Sequence, residues 1–251
     1  MSQKVEKEKG LWERLGILEE DAPPWGVGEI ALAIAVLFIG TLIIGTGVTV
    51  SVATSSTNPD PISFVFGWLI GLVVVFIFVM IRWRRTKERF DALRLYQGEW
   101  QALLAIMAGL GGGFSAAVVA GLGSGNFITP MPVIGITTGD AGSLALVSLF
   151  IILVQPIVES LIFSGIALPR LRASLGGWIG LITTILLFAM YYYLVFGARG
   201  TGSIVLWYGA IYPLVVGFTL GAVRIWSKST LASILAHLGI GITVLIIMVV
   251  T

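Results

Sequence analysis

Long apolar runs separated by short polar segments extend along almost the whole chain. Seven of these runs approach the length of about 20 residues that a helix needs to cross the hydrocarbon core of a bilayer. They lie at residues 28–50, 62–82, 101–121, 142–166, 175–197, 203–223 and 229–250. The segments 51–61 and 122–140 are polar or rich in glycine and proline, and they predict irregular connections. The pattern therefore predicts an all-α fold, a polytopic transmembrane helical bundle of about seven spans, in which Pro169 and Pro213 limit or bend the later spans.

Composition and charge agree with a membrane protein. Hydrophobic residues make up 57% of the 251 residues and charged residues only 11%, whereas soluble domains carry about 25% charged residues. If the N-terminus is cytoplasmic, 14 of the 15 lysines and arginines fall on the cytoplasmic side and only Arg199 falls outside. Such a bias is what the positive-inside rule requires. It predicts a multi-pass protein of the cell (cytoplasmic or inner) membrane, with a cytoplasmic N-terminus and the C-terminus outside.

The chain divides by composition into three parts. Residues 1–26 form a polar cytoplasmic tail without the apolar core and cleavage site of a secretory signal, and WERLGILEE (12–20) forms either a short amphipathic turn or part of a solvated tail. Residues 27–141 hold the N-terminal transmembrane helices, with a basic surface helix at 82–100. Anionic headgroups explain its charge, so membrane lipid is an expected partner and nucleic acid is not. Residues 142–251 form the C-terminal transmembrane core.

The third span is crowded with small residues in LLAIMAGLGGGFSAAVVAGLG. Small side chains let helix backbones approach closely in a bilayer, so this span predicts a helix-packing face. A phosphate-binding loop is a poor alternative, because no Lys-Ser/Thr pair follows the glycines.

Two ionisable residues lie inside predicted spans: Glu159, in QPIVESLIFSG, and His237, the only histidine of the chain. Ionisable groups within a bilayer cost several kcal/mol unless they are paired or hydrated. Both lie at similar depth from the cytoplasmic side, about 10 Å and about 12 Å at a rise of 1.5 Å per residue. They are therefore expected to meet, and Gln155, one turn before Glu159, is expected to hydrogen-bond the carboxylate. A polar contact between helices without any further function is the alternative interpretation.

Three stretches carry a family resemblance. PIVESLIFSGIALPRLRASLG (156–176) resembles the first motif, PxxEExxxRGxxxPxL, of the CPBP (Abi/CAAX-protease-like) family of intramembrane proteases. LLFAMYY matches the second motif, FxxxH, at Phe188, and GFTLGAVRIWSKSTLASILAHLGIG is similar to the closing stretch that leads to HxxxN or HxxxD. Order and spacing agree over residues 142–250, which implies a CPBP/Abi-like core in the C-terminal half.

The resemblance implies which residues would carry chemistry. In the family a glutamate activates water for attack on a peptide bond, and a histidine helps to stabilise the oxyanion, inside a cavity open to the cytoplasmic half of the membrane. Glu159 keeps the first glutamate of the first motif and His237 keeps the histidine of the closing motif. Tyr192 stands where the second motif has histidine and can still donate a hydrogen bond. Glu159, His237 and Tyr192 are therefore the catalytic candidates.

The chain departs from the motifs at other decisive positions. Ser160 replaces the second glutamate, Ser164 replaces the arginine and Gly241 replaces the Asn or Asp of the closing motif. A general base typically contributes about 10²–10⁴-fold and an oxyanion donor about 10²–10³-fold to rate, so these losses are serious for catalysis. The residues expected to line the cavity are Gln155, Ser160, Ser164, Phe188, Ser233 and Gly241.

These departures favour a catalytically degenerate pseudoprotease, an intramembrane binding or scaffold subunit that holds another membrane protein or a peptide in its cavity. One alternative is an active intramembrane (CAAX-type) endopeptidase using Glu159 and His237. A second alternative is a chlorin- or haem-binding subunit of a larger complex, ligated through His237. No cofactor and no metal site are expected, since zinc needs three or four protein ligands and the cavity offers two. The chain has no cysteine, which excludes thiolate chemistry.

Overall fold

The computed structural model describes residues 10–18, 21–53, 61–96, 99–127, 141–195 and 202–250. Within these ranges the regular secondary structure is helical, without a strand. The helices are α1 (Leu11–Gly16), α2 (Val27–Val52), α3 (Pro61–Trp83), α4 (Lys87–Ala92), α5 (Glu99–Ser124), α6 (Ala141–Leu175), α7 (Gly177–Val195), α8 (Ser203–Ser227) and α9 (Thr230–Val250). Arg199 and most of the two predicted loops lie outside the described residues.

Seven of these helices, α2, α3 and α5–α9, are long and apolar enough to cross a membrane. Their bounds follow the predicted spans closely, which confirms the prediction of an all-α, multi-pass bundle. The fourth span is longer than predicted, because α6 continues to Leu175 over 35 residues. It ends where Gly176 takes a φ of 88°, a conformation that glycine adopts without steric cost.

The prolines of the later spans do not end the helices α6 and α8, because a π-helical turn precedes each of them. Wide π-helical turns at Leu149–Val154, Leu161–Ala167 and Trp207–Ile211 are followed two residues later by Pro156, Pro169 and Pro213, respectively. Proline removes a backbone donor and its ring crowds the preceding turn of an ordinary α-helix. A π-helical turn changes the hydrogen-bond pattern at that place, so the helix passes the proline instead of stopping.

The predicted basic helix at 82–100 is wrong in its extent. The segment contains the end of α3, the short helix α4 and the start of α5, and the described residues between these helices, 84–86 and 93–96, are irregular. Thr86 begins α4, because its side chain accepts a hydrogen bond from the backbone N–H of Arg89 at 3.3 Å. Beyond its end Arg94 has a φ of 51°, which turns the chain away from helical geometry. Arg82 and Arg89 both contact Glu29 of α2 at 2.7 Å.

The small residues of the third span form a helix-packing face, as predicted, and the structure shows that they pack against the last span. A Cβ added at Gly109 would lie 1.9 Å from the carbonyl oxygen of Ala236, and one at Gly239 would lie 2.4 Å from the carbonyl oxygen of Ile106. The backbones of α5 and α9 therefore touch, an approach that only glycine permits at these positions. This contact fixes the position of the helix that carries His237.

The N-terminal segment forms a helix that docks on the bundle. Leu15 of α1 is fully buried and packs with Leu168, Leu181 and Ile225, which come from α6, α7 and α8. The segment thus forms a short helix rather than a solvated tail, but the helix is docked on the bundle, which neither interpretation predicted. It lies at the end of the bundle where α3, α6 and α8 finish, which we call the basic end because Arg82, Arg172 and Arg224 lie there.

Candidate functional site

The two ionisable side chains of the spans meet in the interior of the bundle. Glu159 of α6 is fully buried and His237 of α9 is 4% exposed. The distance between Oε2 of Glu159 and Nε2 of His237 is 3.8 Å. Their predicted meeting is confirmed, and together with Tyr192 they form what we call the polar centre.

Both carboxylate oxygens of Glu159 already have donors from the protein. The side-chain amide of Gln155 donates to Oε1 at 3.0 Å, and the hydroxyl of Tyr192 donates to Oε2 at 2.9 Å. The same amide also donates to the hydroxyl oxygen of Tyr192 at 2.7 Å, which closes a triangle of three side chains. The predicted contact between Gln155 and Glu159, one helical turn apart, is therefore confirmed. Burial without such partners would be costly for a carboxyl group.

Protein groups also surround the imidazole of His237. The hydroxyl of Ser160 lies 3.1 Å from Nδ1, while Nε2 faces Glu159. The ring of Phe188 approaches the imidazole edge-on, with 6.1 Å between ring centres. If Nε2 carries the proton, Ser160 donates to Nδ1, while Nε2 lies 3.8 Å from Oε2 of Glu159, beyond hydrogen-bond distance. Ser160, at the position of the family's second glutamate, thus orients the histidine.

The remaining predicted cavity residues lie close to the polar centre but have contacts of their own. The hydroxyl of Ser233 donates to that of Ser164 at 2.8 Å and reaches the carbonyl oxygen of Leu220 at 3.2 Å, which ties α9 to α6 and α8. Gly241 lies against the backbone of α6, because a Cβ there would be 2.2 Å from the carbonyl oxygen of Ile151. The position of the lost Asn or Asp is therefore occupied by a close contact between two helices.

A small pocket, which we call the inner pocket, adjoins the polar centre on the side of the basic end. Its open volume of about 10 Å³ is close to what one water molecule needs. Ser164 and Phe188 form its inner wall, so the ring of Phe188 separates the pocket from His237. The pocket is lined by Phe163, Ser164, Leu168, Leu181, Thr184, Ile185, Phe188, Gly217, Leu220 and Gly221.

Two residues near the site escaped the sequence analysis. Phe163 packs edge-on against Phe188, with ring centres 5.1 Å apart, and holds that ring beside the histidine. Arg172 is 5% exposed and its guanidinium donates to the carbonyl oxygens of Arg14, Leu15 and Ile17. Arg172 lies between two predicted spans, and nothing in its local pattern indicates a contact with residues about 155 positions earlier.

Two features limit the reactions that the polar centre can carry out: the small number of side chains that could bind a metal, and the close packing around Glu159. Among the described residues no group of three or more His, Cys, Asp or Glu side chains comes together to hold a metal ion. A hydrogen bond joins Tyr192 to Glu159, whereas Nε2 of His237 lies 3.8 Å from the carboxylate, beyond hydrogen-bond distance. A general base must also reach a water molecule or substrate, and here both oxygens of Glu159 face protein donors.

Comparison with known proteins identifies the segment that carries these residues. A family model described as type II CAAX prenyl endopeptidase Rce1-like matches residues 141–243, from the first residue of α6 into α9. All residues of the polar centre fall within this match, and the predicted resemblance is confirmed over it. No curated protein and no solved structure matches the chain.

Proposed function

Because residues 141–243 make this chain an Rce1-like membrane protein of the CPBP family, we propose that it is a pseudoprotease. In this proposal the bundle keeps the family's scaffold as an intramembrane binding or scaffold subunit, and it holds a membrane protein or a peptide without cutting it. The bound segment would occupy the region around the polar centre.

One observation carries this proposal: the carboxylate of Glu159 is fully buried and held by Tyr192 and Gln155. Activation of water requires that water reach the carboxylate, and the complete burial of Glu159 beside its two donors keeps water away from it. Tyr192, at the position of the family's second-motif histidine, instead donates to the oxygen that also faces His237. The substitution converts a position for chemistry into a hydrogen bond that stabilises the bundle.

The packing around Gly241 supports the same conclusion. In the family's motif this position carries Asn or Asp, four residues after the histidine. A side chain at Gly241 would collide with the carbonyl oxygen of Ile151. The close contact between α6 and α9 therefore leaves no space for the family's polar side chain at this position. Restoring that group would force α6 and α9 apart.

An active endopeptidase is the second candidate, and the distance of 3.8 Å between Glu159 and His237 favours it. Opening of the triangle around Glu159 would leave an acid beside an imidazole whose other nitrogen is oriented by Ser160. A chlorin or haem ligated by His237 has less support, since Nδ1 faces Ser160 and Nε2 faces Glu159, and a ring would have to displace one of these contacts.

The decisive test is a cleavage assay on the purified, full-length protein with a panel of membrane-protein and prenyl-peptide substrates. We expect no cleavage by the natural chain and no difference from its Glu159→Gln and His237→Ala variants. Cleavage by the natural chain that disappears in both variants, with both still folded, would refute the pseudoprotease. Tyr193→Phe serves as a control, because Tyr193 lies on the same helix as Tyr192 and is 49% exposed.

The orientation in the membrane belongs to the same proposal. The arginines of the basic end, with the positive-inside rule, support a cytoplasmic N-terminus, a C-terminus outside and residence in the cell membrane. Tagging each terminus and testing protease protection in sealed vesicles checks this orientation. Equal protection of the two termini would contradict it, because an odd number of spans puts them on opposite sides.

A further inference from the structure

The docked helix α1 shares a buried cluster with two residues that line the inner pocket. Leu15 of α1 packs with Leu168, Leu181 and Ile225. Leu168 and Leu181 also line the inner pocket. Leu168 lies one helical turn beyond Ser164, so this cluster lies on the side of the pocket away from the polar centre.

Several separate contacts hold α1 in this place. The guanidinium of Arg172 donates to three carbonyl oxygens at the end of α1, where the helix leaves its last carbonyls without partners. The ring of Trp12 stacks on that of Trp178, with centres 6.3 Å apart. A Cβ at Gly177 would lie 2.3 Å from the carbonyl oxygen of Gly16, so the backbones of α1 and α7 touch.

We propose that α1 is a plug. This proposal rests on the proposed function, because a bound segment needs a route to the polar centre. The plug closes the inner pocket, and a partner reaches Ser164, Phe188 and the polar centre only when Leu15 is displaced. The residues that cluster with Leu15 are apolar, so the segment that replaces it presents a bulky apolar side chain to Leu168 and Leu181. Arg172 is the positioning residue, since it binds α1 through backbone atoms and keeps the plug seated.

The absence of cysteine from the chain makes access directly measurable. Thr184→Cys places one thiol of similar size in the wall of the inner pocket, at a residue that is 6% exposed. The detergent-purified full-length protein is treated with a water-soluble maleimide, and the labelling rate is followed by mass spectrometry. A second reporter, Thr49→Cys, is fully buried in α2, far along that helix from Glu29, which pairs with Arg82 of the basic end where α1 lies.

Leu15→Ala and Arg172→Gln, each combined with a reporter, loosen the plug in two independent ways. Removal of a buried leucine side chain commonly costs enough stability that local opening should become at least about tenfold more frequent. We therefore expect labelling of the Thr184 reporter to accelerate at least about tenfold in both variants. Leu18→Ala is the matched control, because Leu18 belongs to the same segment and is 47% exposed; it should leave the rate unchanged.

Two outcomes would overturn the plug. One is an unchanged labelling rate at Thr184 in both variants, which would show that α1 does not limit access. The other is an equal acceleration at Thr49, which would show general loosening of the bundle. Labelling requires neither a substrate nor cleavage, so a failure of the plug is separate from a failure of the pseudoprotease proposal, which the cleavage assay decides.

Discussion

Tyr192→Phe is the sharpest probe of the polar centre, because it removes one oxygen atom and keeps the ring. That oxygen donates to Glu159 at 2.9 Å and accepts from Gln155 at 2.7 Å. Hydrogen bonds between membrane helices contribute about 0.6 kcal/mol on average and up to about 1.7 kcal/mol. Loss of both bonds should therefore lower the free energy of unfolding by about 1–3 kcal/mol.

The assay is reversible unfolding in mixed micelles with increasing amounts of denaturing detergent. Tyr193→Phe is the control, since this tyrosine is 49% exposed on the same helix, and its variant should change the free energy by less than about 0.5 kcal/mol. A double-mutant cycle between Tyr192→Phe and Glu159→Leu should give a coupling energy of at least about 0.5 kcal/mol. Equal effects at the two tyrosines, with strict additivity in the cycle, would refute the hydrogen-bonded triangle.

Three further substitutions test the packing and the charges of the bundle, each by the same unfolding assay. Gly241→Ala should destabilise the protein by about 1–3 kcal/mol through overpacking against Ile151. In the control Gly47→Ala the added Cβ meets nothing within 4 Å, so this variant should instead be stabilised by up to about 1 kcal/mol. Equal effects of the two substitutions would contradict the close contact at Gly241. Glu29→Gln should lower the free energy of unfolding by less than about 1 kcal/mol for each ion pair with Arg82 and Arg89, and this loss should become smaller at high salt. A loss that does not depend on salt would argue against the ion pairs. Trp25→Phe should cost about 1 kcal/mol, because the indole N–H donates at 3.0 Å to a backbone carbonyl of α6, and no loss would contradict that bond.

The spans and the meeting of Glu159 with His237 were predictable because each rests on local or periodic information. The length of an apolar run indicates where a helix crosses the bilayer. Two ionisable groups are costly inside the membrane, so their similar depth indicates that they face each other. Gln155 followed from the spacing of one helical turn. The family resemblance then supplied Tyr192, which depth alone did not single out.

The rest could not be read from the sequence because it depends on contacts between distant parts of the chain. Arg172 looks like an ordinary loop charge until α1 is seen beside it, and Gly241 looks like a lost ligand until Ile151 is seen against it. Helix widening before Pro169 is likewise invisible, since proline ordinarily predicts a break. Ser164 and Ser233 pair only because the close packing of α6 and α9 brings them to the same level.

The contact between Gly109 and Ala236 has a consequence for how this protein can be divided. The helix that carries the imidazole leans on a neighbour that precedes the Rce1-like match, which begins at residue 141. A fragment cut at that boundary would lose the surface that sets the height and tilt of its final helix. Sequence change in the third span can therefore alter the geometry at His237 from outside the recognised family segment.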